Sequence, residues 1–212
     1  MPIVYAHWEG FVKLAAVAYL AYVSKQPGKL KEFATNVVAV ALCGELFAAG
    51  MAKKSSVHTA FLARHAQMLE EAVTFDAEAV ISTNSNLNSE VLREIMETAG
   101  LVFDTYWQGK SLLIDHKLLK TRNEVAHGDL VVIDVPLYEE LHAFVIEGLN
   151  WFKTAVENAA ATGQHRASRE TVGGPITLNL VRPGSRAAYL LAGKTASRHL
   201  LFATRFPEHH SP

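Results

Sequence analysis

A short stretch at residues 120–130, KTRNEVAHGDL, places three polar residues near the end of a mostly apolar helical segment. These are Arg122, Asn123 and His127. The donors of an arginine match a phosphate and stabilise charge that develops in a phosphoryl transition state. Histidine titrates near neutral pH and can move protons to and from hydroxyl groups, while an asparagine can orient either partner. This set suits metal-free RNA cleavage, in which the 2′-hydroxyl attacks the adjacent phosphate.

The spacing of these residues limits how they can meet. On a continuous α-helix each residue turns the chain by about 100°, so His127 lies about 140° around the axis from Arg122. The two converge if the helix ends near Ala126 and the histidine swings back, or if each works beside its counterpart in a second, two-fold-related chain. The same projection places Arg122 near the centre of an apolar face. That face comprises Leu112, Ile114, Leu118, Leu119, Val125 and Ala126.

A purely structural interpretation fits the same residues. Arg122 then pairs with a carboxylate from a neighbouring helix, such as Glu9, and His127 caps a helix terminus. Glu9 and His7 are candidate supporting or substrate-binding residues. The motif His7-Trp8-Glu9 is similar to the H-x-E of zinc nucleobase deaminases, but a chain with one cysteine lacks the required C-x-x-C. We therefore expect no metal and no cofactor.

Composition indicates an ordinary globular chain. Of its 212 residues, 50% are hydrophobic and 19% are charged, and Cys43 is the single cysteine. One cysteine cannot form an internal disulfide, which favours a reducing compartment. No secretory signal is recognisable, and the most apolar stretch is interrupted by Glu45 and is too short to span a membrane. We predict a soluble, cytoplasmic protein without membrane contact.

Apolar periodicity predicts an all-α bundle over residues 1–162. The second predicted helix is apolar nearly all round, so it belongs in a core or at a subunit interface. A loop before residue 89 supplies an N-cap, and Gly100, Gly128 and Gly163 are predicted helix ends. The predicted helices cover about residues 3–24, 30–49, 56–71, 89–99, 111–126 and 136–161.

The last 50 residues, 163–212, differ in composition and are predicted to be a separate, basic appendage. They carry seven Lys and Arg against two Asp and Glu, whereas residues 1–162 carry 13 against 19. Glycines and prolines interrupt any helix there, and the alternation of Ile176, Leu178 and Leu180 predicts a short strand. The appendage is either a solvated extension or a contact with nucleic acid or an acidic partner.

The stretch RNEVAHG matches the R-x4-6-H signature of the HEPN superfamily, in which a polar residue often follows the arginine. The N-terminal YAHWEGFVKLAAVAYLAYV and the approach LLIDHKLLKTRNEVAHGDLVVID resemble one prokaryotic branch of that superfamily. The resemblance covers roughly residues 3–160. It implies an up-and-down bundle of four to five helices that forms a homodimer and brings two such motifs into one cleft.

The resemblance also implies an activity. Many HEPN proteins are metal-independent endoribonucleases that serve as toxins of toxin–antitoxin pairs or in phage defence. By this analogy Arg122 binds the scissile phosphate of an RNA substrate, His127 transfers protons, Asn123 supports both, and an antitoxin protein is a further expected partner. In one subgroup a tyrosine two residues after the histidine is modified by a nucleotidyltransferase, and here that position is Asp129. Other members are non-catalytic modules that bind RNA, nucleotides or proteins, which is the alternative function.

Overall fold

A computed structural model describes residues 1–83 and 85–167 of the chain. Within these residues the secondary structure is helical, with no β-strand, which confirms the predicted all-α bundle. The helices are α1 (Pro2–Ser24), α2 (Thr35–Ala41), α3 (Cys43–Met51), α4 (Ser55–Met68), α5 (Ala77–Val80), α6 (Ser89–Thr98), α7 (Thr105–Leu112), α8 (Lys120–His127) and α9 (Val135–Thr162). A 3-10 turn covers Leu30–Glu32, and a π-helical segment covers Leu113–Leu119.

The core forms around the two longest helices, α1 and α9, which pack along one another. Buried side chains of α1 recur at intervals of three and four residues, as the sequence predicts for one face of a helix. Trp8 lies at the centre of this face, 5.8 Å from the ring of Trp107 and 5.6 Å from that of Phe144. Gly148 of α9 allows this packing, because an added Cβ would lie 2.9 Å from the Trp8 ring.

Several predicted boundaries are confirmed. Helix α1 ends at Ser24, and α9 begins with Pro136 in its first turn and is capped at its C-terminal end by Gly163, whose φ is 69°. Helix α6 is capped by Asn88, whose side chain accepts a 2.8 Å hydrogen bond from the Val91 amide. Gly100 follows α6 with a φ of 74°, a left-handed conformation that favours glycine at a helix end.

The single helix predicted over residues 30–49 is wrong. The chain instead forms the 3-10 turn, α2 and α3 in succession. Phe33 and Ala34 are extended because the Phe33 ring is buried and the Ala34 amide donates a 2.8 Å hydrogen bond to the His165 carbonyl. Leu42 then separates α2 from α3, with φ −98° and ψ 2°. These tertiary contacts override the helical pattern, which is a local signal.

Helices α3 and α4 form a projecting hairpin, here called the arm (residues 43–68). Neither helix contains a buried residue. Beyond the arm, the chain returns to the bundle through backbone bonds from the Leu30 amide to the Glu71 carbonyl, 2.9 Å, and from the Lys31 amide to the Leu69 carbonyl, 3.0 Å. The apolar segment predicted over residues 30–49 is therefore divided. Its first part contributes buried side chains to the core, among them Leu30 and Val37, as predicted, whereas residues 43–49 lie in the arm.

The described part of the predicted appendage, residues 163–167, contacts the bundle. His165 is buried against Tyr22 and Phe33, with ring centroids 5.7 and 6.1 Å apart respectively. The predicted strand at residues 176–180 lies outside the described residues. In the part of the chain that is described, no helix is both long and apolar enough to cross a membrane.

Candidate functional site

The candidate residues lie on a helix that is longer than the sequence predicts. It runs without interruption from Thr105, capped by the Asp104 side chain, through α7, the π-helical segment and α8 to His127. The π-helical segment is tied to the start of α6: the Asp115 carboxylate accepts hydrogen bonds from the Ser89 amide, 2.7 Å, and the Ser89 hydroxyl, 2.6 Å. This contact joins residues 26 positions apart.

The π-helical segment changes which residues of α8 face the core. A π-helix has more residues per turn than an α-helix, so every residue beyond it is rotated relative to an unbroken α-helical projection. Thr121 is the buried residue of α8, and Arg122 is half-buried beside it. The predicted position of Arg122 at the centre of an apolar face is therefore wrong; Leu112, assigned to that same face, is 72% exposed.

Arg122 is held by an aromatic ring and an amide. Its guanidinium carbon lies 4.9 Å from the centroid of the Tyr5 ring, and Nη1 donates a 2.7 Å hydrogen bond to Oδ1 of Asn123. Among the described residues Arg122 forms no ion pair, so the expected structural pairing with Glu9 is not observed. Arginine stays protonated in proteins. A half-buried positive charge with only neutral partners can bind an anion such as a phosphate.

Tyr5 contacts Arg122 at the candidate site and was not identified as a candidate from the sequence. Its side chain is buried, and its hydroxyl accepts a 2.6 Å hydrogen bond from the Leu87 amide. Burial, with a smaller contribution from the Glu9 carboxylate, raises the pKa of Tyr5 to about 12. Tyr5 is therefore a neutral phenol at physiological pH. Its sequence context did not separate it from other buried aromatic residues of α1, such as Tyr19.

Glu9 and His7 occupy different sides of α1. Glu9 is half-buried one turn after Tyr5, close enough to affect the pKa of that hydroxyl. His7 is exposed and stands two residues from both, about 200° around the helix axis. The structure brings Glu9 to the group formed by Tyr5, Arg122 and Asn123, and it does not bring His7 there.

His127 is the last residue of α8 and is exposed. Gly128 follows with φ 82°, and its amide and that of Asp129 donate to the carbonyls of Val125 and Glu124 at 3.1 and 3.0 Å. These bonds close the helix after the histidine, so His127 does not swing back toward Arg122. Within one chain the two side chains leave α8 about 140° apart.

The residues near the site offer no obvious place for a metal ion. Over residues 1–83 and 85–167, no three His, Cys, Asp or Glu side chains are grouped as metal ligands. The chemistry available to the candidate residues is that of one fixed cation, one neutral amide and one imidazole, with the Glu9 side chain close to the Tyr5 hydroxyl.

An all-α bundle with an arginine and a histidine in R-x4-H spacing at a helix end defines a HEPN-type, RNA-related module. Comparison with protein families supports this class: the family model described as RiboL-PSP-HEPN matches residues 2–158. The chain belongs to this HEPN family, which confirms the resemblance noted in its sequence. No curated protein and no solved structure matches the chain.

Proposed function

We propose that the protein is a metal-independent endoribonuclease of a toxin–antitoxin or phage-defence system, acting in the cytoplasm. The observation that supports this most directly is the half-buried guanidinium of Arg122, which has no carboxylate partner among the described residues. Membership of a HEPN family supports RNA as the source of the phosphate it would bind.

The proposed reaction is an internal transfer at phosphorus. The 2′-oxygen loses its proton to a base and attacks the adjacent phosphorus, the bond to the 5′-oxygen breaks, and the leaving oxygen is protonated. Arg122 binds the phosphate and stabilises its charge, while His127 transfers protons. Asn123 orients the guanidinium through the hydrogen bond that it accepts from Nη1. The products are a 2′,3′-cyclic phosphate end and a 5′-hydroxyl end.

The geometry of α8 favours a composite site shared by two copies. Because His127 belongs to the helix, it cannot turn back to the phosphate that Arg122 of the same chain would hold. A homodimer that packs two α8 helices side by side places the arginine of one copy near the histidine of the other. An antitoxin that covers this cleft would inhibit the enzyme.

The first test is incubation of purified protein with end-labelled RNA in excess EDTA, with analysis of the new ends. We expect the wild type to leave 2′,3′-cyclic phosphate ends, and His127→Ala to lose at least about 100-fold in rate, the usual contribution of a general acid or base. His116→Ala is the matched control, because His116 is also an exposed histidine of this helix. Activity retained in His127→Ala would exclude the proposed role of this residue.

A mixing experiment tests the composite site. Arg122→Ala and His127→Ala are each expected to be inactive alone. When the two proteins exchange subunits, each mixed dimer has one complete site, and about a quarter of the wild-type activity should return. If the mixture stays inactive although mixed dimers form, the arginine and histidine do not act across the interface.

A non-catalytic HEPN module that binds RNA, a nucleotide or a protein is the second candidate. One observation favours it: no described residue hydrogen-bonds the His127 imidazole, whereas a catalytic base is usually oriented by a third group. Saturable RNA binding that depends on Arg122, without cleavage under any of the conditions above, would establish this alternative.

A further inference from the structure

The π-helical segment (Leu113–Leu119) lies directly before the candidate site, because Arg122 follows its last residue by three positions. A π-helical turn is rare, and inside α-helices it occurs frequently at functional sites. The sequence of this segment, LIDHKLL, also suits an α-helix. Contacts from outside the helix must therefore select the π-helical form.

The Asp115 carboxylate is the group that joins this segment to α6. Its two oxygens accept hydrogen bonds from the amide and the hydroxyl of Ser89, at 2.7 and 2.6 Å. Ser89 is the first residue of α6, where backbone amides lack partners within the helix and a negative charge is stabilised. Hydrogen bonds to a carboxylate are also stronger than those between neutral groups. By contrast, the ion pair of Lys117 with Glu140, which joins the segment to α9, has both side chains about half exposed and contributes little.

The form of this segment sets the rotation of α8. A π-helical turn contains about one residue more than an α-helical turn, so a return to the α-helical form would rotate α8 by about 100° around its axis. In the structure the Arg122 guanidinium carbon lies 4.9 Å from the centroid of the Tyr5 ring, and Thr121 is buried. A rotation of this size removes the guanidinium from the ring and turns a different side chain toward the core. The contact between Arg122 and Tyr5 therefore depends on the π-helical form.

We propose that Asp115 is a positioning residue for Arg122. Its hydrogen bonds to Ser89 hold residues 113–119 in the π-helical form, and this form keeps the guanidinium of Arg122 over the Tyr5 ring. Asp115 acts through the helix and does not touch RNA. The positioning is a property of the folded chain, whereas its consequence for RNA rests on the proposed function, in which Arg122 binds the phosphate.

Nuclear magnetic resonance tests the position of Arg122. Protons above an aromatic ring are shifted upfield by its ring current, so the shift change that Tyr5→Leu causes in the Arg122 side-chain protons measures their contact. We expect Tyr5→Leu to move these resonances downfield in the wild-type chain, and by less than half as much in Asp115→Ala, as in a double-mutant cycle. Circular dichroism and urea unfolding verify that each variant is folded under the conditions of measurement.

Two further variants separate positioning from general stability. Asp115→Asn keeps both hydrogen bonds, because its Oδ1 accepts from the Ser89 amide and its Nδ2 donates to the Ser89 hydroxyl oxygen, so the full ring-current effect should return. Asp104→Ala is the matched control, since Asp104 caps the start of the same long helix by accepting from the amides of Tyr106 and Trp107 at 3.1 and 3.3 Å. This control should unfold at a lower urea concentration and still retain the effect. If Asp115→Ala does not fold, Ser89→Ala, which removes only the hydroxyl bond, is measured in its place with the same expectation.

RNA affinity tests the consequence for the site. In filter binding with EDTA, Asp115→Ala should weaken RNA binding at least about 10-fold, the least expected when a hydrogen bond to a charged group is lost. The same change in an Arg122→Ala chain should have no further effect. An unchanged ring-current effect in Asp115→Ala, or an equal loss in Asp104→Ala, would overturn the proposal. If the effect is lost and RNA affinity is unchanged, positioning by Asp115 holds and the proposed binding of phosphate by Arg122 fails instead.

Discussion

Tyr5 and Arg122 share one contact that links the first helix to the candidate site. The ring face of Tyr5 holds the guanidinium, while its hydroxyl holds the Leu87 amide 82 residues away in the chain. A cation over an aromatic ring contributes about 0.5–2 kcal/mol, depending on how much water is excluded. One buried side chain therefore positions both the cation and the loop before α6.

Substitution of Tyr5 separates these two contacts. Tyr5→Phe keeps the ring but leaves the Leu87 amide without its acceptor, so the free energy of unfolding should fall by about 1–2 kcal/mol while RNA binding stays near wild type. Tyr5→Leu also removes the ring, and RNA affinity should fall by up to about 30-fold, the equivalent of 2 kcal/mol. Filter binding in EDTA and urea unfolding measure the two quantities. Equal RNA affinity of the two variants would show that the ring does not position Arg122.

At the scale of single residues, the sequence indicated which residues are candidates for the site better than it indicated which residues they contact. Arg122, Asn123 and His127 were recognisable because their chemistry and spacing are local. The role of Tyr5 was not, since it depends on α8 and on the loop at Leu87, both remote in the chain. The purely structural interpretation pairs Arg122 with Glu9 because a buried cation usually requires a carboxylate, and an aromatic ring takes that place instead.

At the scale of elements, helix ends were predictable and helix interiors were less so. Asn88, Gly100 and Gly163 act through bonds within a few residues, and all three end or begin helices as the sequence indicates. The π-helical segment was missed because its sequence, LIDHKLL, also suits an α-helix. The contact between Asp115 and Ser89, which ties this segment to α6, joins residues that are distant in sequence.

The packing of α9 against α1 gives a prediction at this scale. Gly148→Ala should lower the free energy of unfolding by about 1–3 kcal/mol, because the new methyl group would lie 2.9 Å from the buried Trp8 ring. Gly109→Ala is the matched control. Nothing lies within 4 Å of a Cβ at Gly109, so this helical substitution should be neutral or stabilise by up to about 1 kcal/mol. Urea unfolding measures the free energy of unfolding of both variants. Equal changes in the two would mean that Gly148 is not needed for the close packing of α9 against α1.

At the scale of the whole molecule, His165 joins the residues that follow α9 to α1 and to the segment before α2, through its contacts with Tyr22 and Phe33. Burial, followed by the nearby charge of Arg166, lowers the pKa of His165 below its ordinary value. The unfolded chain therefore binds more protons than the folded chain between the lowered pKa and about 6.5. Stability should fall as pH falls through this window, and it should be independent of this group above pH 7.

Thermal unfolding between pH 5 and 8 measures this effect. His165→Gln should unfold at a midpoint that falls less on acidification than that of the wild type, since glutamine does not titrate. His116→Gln is the matched control for the loss of one imidazole, because His116 is exposed whereas His165 is buried. Parallel pH profiles for the wild type and His165→Gln would contradict the prediction.

The predicted division of the chain at residue 162 followed a change in composition. Contacts such as that of Arg166, whose guanidinium lies 4.4 Å from the Phe33 ring, cannot be read from composition because they join distant segments. The all-α class of the bundle was predicted correctly, whereas the prediction for residues 30–49 left open whether this apolar segment lies in the core or at a subunit interface. Periodicity shows that a helix is apolar and does not show whether its own chain covers it.

The tryptophan cluster allows the folding of the bundle to be followed by intrinsic fluorescence. The chain has three tryptophans, and all of them lie in one group, with Trp8 5.8 Å and Trp151 5.0 Å from Trp107. Their fluorescence therefore reports on the environment at a single place, the junction of α1, α7 and α9. The arm contains no tryptophan. Global melting should change the fluorescence, whereas a conformational change confined to the arm should leave that signal nearly unchanged.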